Sequence, residues 1–181
     1  MKLIAALTFT ILITVQQSYG QQPIDNKKEI GLLIKKYAKS IIDKDSATFY
    51  NLFNDGPVTW CAAFKDISYN RIIQKNPNAR SNYFSDSYKG FFKAVLSNKN
   101  IEDKFDNVQI IEDGTVASVT MDYSFWSDNK MQNWGGKYLS LIKRDGKWKI
   151  TSVIYSVELS NYLEQPALEE RHKRSLPGTI E

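Results

Sequence analysis

The chain has 181 residues, 42% hydrophobic and 24% charged, which is the make-up of a globular domain and excludes a low-complexity or fibrous chain. Its formal net charge of +4 is spread along the sequence, without the basic stripe expected of a nucleic-acid binder. Cys61 is the one cysteine and His172 the one histidine, so neither an intramolecular disulfide nor a His/Cys metal cluster is available.

Residues 1–20 have the layout of a secretory signal peptide. Lys2 gives a positive start, Leu3 to Val15 an apolar run, and Ser18-Tyr19-Gly20 a small-residue cleavage site before Gln21. The run is short for a membrane span, so the reading is export, periplasmic or extracellular, without stable membrane insertion. Asn26 and Glu29 resemble a capping box opening a helix. Ile30, Leu33, Ile34, Tyr37, Ala38, Ile41 and Ile42 form its apolar stripe, with lysines on the remaining surface. Asp45-Ser46 caps a second, short helix carrying Phe49, Leu52 and Phe53, and Asn54 to Pro57 form a turn. Val58 to Phe64 reads as a strand apolar on both faces, within which Cys61 is a buried thiol. Residues 65–83 are polar and irregular, either a short extra helix near Tyr69 to Ile73 or a flap. Ser85 or Asp86 caps a third helix with Tyr88, Phe91, Phe92, Val95 and Leu96 on one side.

From Ile101 the hydrophobic period changes to two. Phe105, Val108 and Ile110 mark one strand, Asp113-Gly114 a turn, and Val116 to Trp126 the next strand. Gly135 to Ser156 then reads as a hairpin about Asp145-Gly146. Leu139 and Leu141 face one way and Tyr138 and Ile142 the other, while Trp148, Ile150 and Ile154 alternate with Val153, Tyr155 and Val157. Gly135-Gly136 reads as a bulge or bend. Both faces carry apolar residues, so the sheet expects cover on both sides. Beyond residue 160 the chain is a polar tail. Early helices and late strands indicate an α+β domain, with helices packed on one face of a curved antiparallel sheet.

This order resembles the nuclear transport factor 2-like superfamily, which includes ketosteroid isomerase and SnoaL-type cyclases. The resemblance rests on Tyr37-Ala38 with Asp45, Leu52-Phe53-Asn54-Asp55 and the stretch Lys143 to Ile150, and it spans Lys27 to Leu159. It implies one domain over residues 21–160, a cone-shaped α+β roll of the cystatin-like kind, an apolar pocket and a homodimer through the outer sheet face. It also implies an oxyanion donor at Tyr37. The family's general-base Asp falls at Cys61 or Trp60, and its second acid at Tyr138 or Ser140, so both carboxylates are missing. The pocket histidines of scytalone dehydratase-type members are absent as well. Asp122, in VTMDYSFW, is the remaining acid–base candidate, although alternation with Met121 and Tyr123 favours the polar outer face for it.

The expected pocket residues are Tyr37, Phe53, Trp60, Phe92, Tyr123, Trp126, Trp134 and Tyr138. No cofactor and no metal are expected. The leading reading is an exported domain that binds a small apolar or amphipathic molecule. An isomerase, cyclase or dehydratase using Asp122 and Tyr37 is the first alternative, and an interaction module with a vestigial pocket the second.

Overall fold

A computed structural model describes residues 25–79 and 81–174, with only the backbone of 172–174. The expected signal peptide and the last residues of the tail lie outside the described residues. Five helices and six strands follow one another: α1 (Asn26–Asp43), α2 (Ser46–Asn51), β1 (Thr59–Phe64), α3 (Asp66–Lys75), β2 (Tyr83–Ser85), α4 (Tyr88–Ser97), β3 (Ile101–Glu112), β4 (Val116–Ser127), β5 (Lys130–Arg144), β6 (Lys147–Leu159) and α5 (Leu168–Arg174). The strands form one curved, unclosed sheet in the order β2-β1-β6-β5-β4-β3. Pairing is antiparallel except between β1 and β6, which run parallel, so the sheet is mixed. A parallel neighbour needs a long crossover, and α3, α4 and β3 to β5 all lie between these two strands in sequence.

Two helix starts, those of α1 and α4, are displaced from their expected caps. Asp25, not Asn26, caps α1, its Oδ1 accepting from the Lys28 N–H at 3.0 Å. Asn26 is instead the first helical residue, and its Oδ1 accepts from Lys143 Nζ at 2.8 Å, tying the helix to the sheet. Asp45 caps α2 as expected, accepting from Thr48 N–H. Ser87 rather than Ser85 or Asp86 caps α4, through Gly90 N–H. α1 buries Ile30, Leu33, Ile34, Tyr37 and Ile41, but Ile42 is 54% exposed, being about 100° round the helix from Ile41.

The irregular stretch holds a helix, α3, longer than the short one expected near Tyr69 to Ile73. It is pinned at one buried point, where Ser68 Oγ donates to Glu158 and accepts from the Leu159 N–H at 2.7 Å. β2 was not legible at all. Its three residues are exposed and join the sheet edge only through β1.

Three bulges set the sheet's curvature. They fall in β3 at Asn107, whose φ is 52°, in β5 at Gln132 and in β6 at Thr151. The last changes which residues face inward. Trp148 and Ile150 are buried, but past the extra residue Val153 and Val157 take over, and Ile154 points outward at 46% exposure. Ile154 therefore lies on the face opposite Ile150, not beside it as simple alternation suggests. Gly135-Gly136, by contrast, is not a bulge, because the register runs unbroken past it on both sides.

Inside the sheet's curve, Tyr37, Phe49, Phe53 and Phe92 form the core, with Phe49 ring centroids 5.1 Å from Tyr37 and Phe53 and 4.6 Å from Phe92. The outer face is only partly covered: Tyr138 is 52% exposed and Ile111 75%.

Candidate functional site

A cavity of about 440 Å³ opens between α4 and the concave face of the sheet. Trp60 of β1, Phe91 of α4, Phe125 of β4 and Tyr155 of β6 give it aromatic walls, and exposed Ala94 of α4 stands at its mouth. Trp60 and Phe91 stack with centroids 4.9 Å apart, and Tyr123 meets Tyr155 edge-on at 5.7 Å. Strand alternation places Trp60, Tyr123, Phe125 and Tyr155, each in phase with core residues of its own strand, while Phe91 is carried by α4.

The same alternation brings two charges to the cavity floor. In β3, Asp103 is in phase with Ile101 and Phe105. In β5, Lys137 is in phase with buried Leu139 and Leu141. Lys137 Nζ donates to Asp103 Oδ2, and the two residues are 3% and 2% exposed. Four rings surround the ammonium, with centroids 4.5 Å away for Tyr123, 5.1 Å for Phe105 and 5.5 Å for Tyr37 and Tyr155. Burial pushes the Asp103 carboxyl up and the Lys137 ammonium down, each against the pull of its partner. Burial, and then the charge of Asp103, raises the Tyr37 and Tyr123 hydroxyls well above their ordinary value. Tyr155 is pushed up to about 12, chiefly by burial. All three are therefore neutral hydrogen-bond donors at physiological pH. Tyr123 already uses its hydroxyl on Asn133 Oδ1 and Ser156 O, both at 3.0 Å. The Tyr37 hydroxyl and Asp103 Oδ1 are buried without a hydrogen-bond partner.

Of the residues expected from the sequence, Trp60 and Tyr123 line this cavity. Tyr37, Phe53 and Phe92 are core residues behind it, each at most 1% exposed. Trp126, Trp134 and Tyr138 stand on the other face of the sheet, in phase with Ser124, Asp122 and Thr120. Trp134 is nevertheless 5% exposed, because the segment before α5 covers it. Its Nε1 donates to Leu163 O at 3.0 Å, and Lys65 Nζ lies 4.5 Å from its ring centroid. Asp122 is on that outer face too. It accepts from Asn107 Nδ2 at 2.6 Å and lies 3.3 Å from Arg171, which also reaches Asp106. The sheet thus separates Asp122 from Tyr37. Cys61 is half-buried rather than buried, since Trp60 and Ala62 take the inward positions of β1.

The resemblance placed its second carboxylate at Tyr138 or Ser140, but both of these are exposed, and the inward residues on that part of the wall are Lys137 and Leu139. Asp103 and Lys137 escaped the sequence reading. A charged residue in strict phase with buried leucines (Lys137, Leu139, Leu141) was the available signal. No group of His, Cys, Asp and Glu side chains among the described residues could hold a metal ion.

The surrounding architecture matches a large set of solved structures. One is a putative dehydratase from the NTF2-like family of Streptomyces avermitilis, at 14% identity, a TM-score of 0.53 and coverage of 73% of this chain and 95% of that one. A putative scytalone dehydratase from Novosphingobium aromaticivorans matches at 14% identity and a TM-score of 0.53, covering 74% and 84%. An NTF2-like protein of unknown function from Shewanella baltica matches at 17% identity and a TM-score of 0.50, covering 76% and 98%. At these identities the likeness is one of fold. The chain has the NTF2-like fold, an α+β domain with a curved sheet and helices in its concavity. No sequence family profile matches it, and neither does any curated protein.

Proposed function

We propose that this domain binds a small amphipathic molecule in its inner cavity. One observation carries the reading: an aromatic-walled hollow of about 440 Å³, within the size range of small-molecule sites, ends in a buried Lys137–Asp103 pair. The rings would hold an apolar body, and the unpartnered Asp103 oxygen would accept a hydrogen bond from its polar end. An acid–base enzyme using Asp122 and Tyr37 would need both groups in one cavity, and they lie on opposite faces of the sheet. The layout of residues 1–20 supports export, and no helix among the described residues is long and apolar enough to cross a membrane.

Calorimetry with 2-naphthol tests the binding reading. The wild type is expected to bind it, and Ala94→Trp, which fills the mouth from an exposed helix position, is expected to lose binding without loss of stability. Equal binding by both proteins would place the ligand elsewhere.

We further propose a homodimer through the outer face of the sheet. Tyr138, Ile154 and Val116 support it, because they leave that face 46–52% exposed at three large apolar side chains. Sedimentation should give a dimer for the wild type and a monomer for Ile154→Lys. A monomeric wild type would rule the interface out.

A further inference from the structure

We propose that Lys137 captures small aldehydes and ketones with apolar or aromatic bodies, holding them covalently and reversibly as an imine. The proposal rests on the inner cavity being the binding site, and it names the ligand class and the bond.

Three observations converge on this amine. First, Lys137 borders the cavity, so a ligand held by Trp60, Phe91 and Tyr155 lies within reach of Nζ. Second, Asp103 is bonded to that same nitrogen, so a proton acceptor is already in place. Third, a buried ion pair is a poor stabilising device compared with apolar side chains of similar volume, so packing alone does not account for it. Its setting also suits nucleophilic work. An exposed lysine is neutral in only about one molecule in a thousand near pH 7, whereas burial pushes the Lys137 ammonium down, toward the neutral amine, against the pull of Asp103.

The chemistry balances within the pair. The ammonium first passes a proton to the Asp103 carboxylate. The Nζ electron pair then attacks the carbonyl carbon, a C–N bond forms, and the carbonyl oxygen takes the proton back from Asp103. One N–H proton of the adduct next goes to Asp103. From there it protonates the hydroxyl, the C–O bond breaks, and water leaves. The nitrogen pair closes the C=N bond, and the product is a protonated imine facing an ionised Asp103. Neither oxidant nor cofactor is consumed. Asp103 Oδ1, which has no hydrogen-bond partner, provides a polar site at the floor where the transient hydroxyl forms.

The test is reductive trapping on the full chain, with benzaldehyde and sodium cyanoborohydride at neutral pH, followed by peptide mapping. Exposed Lys36 and Lys147 in the same sample serve as internal standards. Lys137 is expected to carry the benzyl group at least roughly tenfold more than either. Asp103→Asn should lower labelling of Lys137 and leave the two standards unchanged. Excess 2-naphthol, which has no carbonyl, should protect Lys137 alone. Labelling spread evenly over the lysines, or absent from Lys137 while 2-naphthol still binds, overturns the imine and leaves the binding site standing. Absence of both labelling at Lys137 and naphthol binding overturns the two together. Because the wild type carries its own standards, the result does not depend on any variant folding.

Discussion

Lys137→Met is expected to destabilise the domain by about 3–5 kcal/mol, and Asp103→Leu with Lys137→Met should recover most of that loss. The single variant strands a carboxylate that is 2% exposed and puts an uncharged side chain where the ammonium stood among Phe105, Tyr37, Tyr123 and Tyr155. The double variant removes both charges and replaces them with side chains that suit the surrounding rings. The single loss is large beside the roughly 5–15 kcal/mol that holds a typical domain together. Urea unfolding of the three proteins measures it. A single variant as stable as the wild type would mean that water reaches Asp103 in the folded state. A double variant no better than the single one would mean that the pair fixes the β3 and β5 positions in a way apolar groups cannot replace.

Gly135→Ala is expected to cost about 3 kcal/mol or more, at the upper end of what overpacking does. A Cβ there would run into the Ser156 carbonyl oxygen and lie 2.8 Å from its carbon. Both atoms are β6 backbone, so β5 and β6 would have to part beneath Trp134. The neighbouring Gly136 meets a softer obstacle, the Tyr138 hydroxyl at 2.9 Å, on a side chain that is half exposed and can swing away. Gly136→Ala should therefore cost clearly less. Thermal melts of the two variants side by side make the comparison. Equal losses would show that close approach to Ser156 is not what fixes glycine at 135.

These residues also show what could be read beforehand. Hairpin turns were plain, because Asp145-Gly146 and Asp113-Gly114 carry the residues that such turns require, and Asp145, Gly114 and Gly146 do take positive φ. The helix-then-strand order gave the fold class for the same local reason. Bulges were not visible, since an inserted Thr151 looks like any other strand residue until its partner across β5 is known. The cavity was half legible. Trp60 and Tyr123 follow from alternation, but Trp126, Trp134 and Tyr138 were grouped with them by aromatic character, although their phase puts them on the outer face. Asp103 and Lys137 were not legible because the resemblance points to Tyr138 and Ser140 on that wall, and because their pairing spans 34 residues of chain.

Placing the ligand is the most direct test of the account. The four tryptophans occupy distinct places: Trp60 lines the inner cavity, Trp126 and Trp134 stand on the outer face, and Trp148 is buried in the core. Their indole N–H signals can be followed by ¹H–¹⁵N correlation spectroscopy while 2-naphthol is added. The expected result is that the Trp60 signal shifts with saturation and the other three stay in place. Movement of Trp134 with Trp60 unchanged, or no movement of any indole, would contradict an inner binding site.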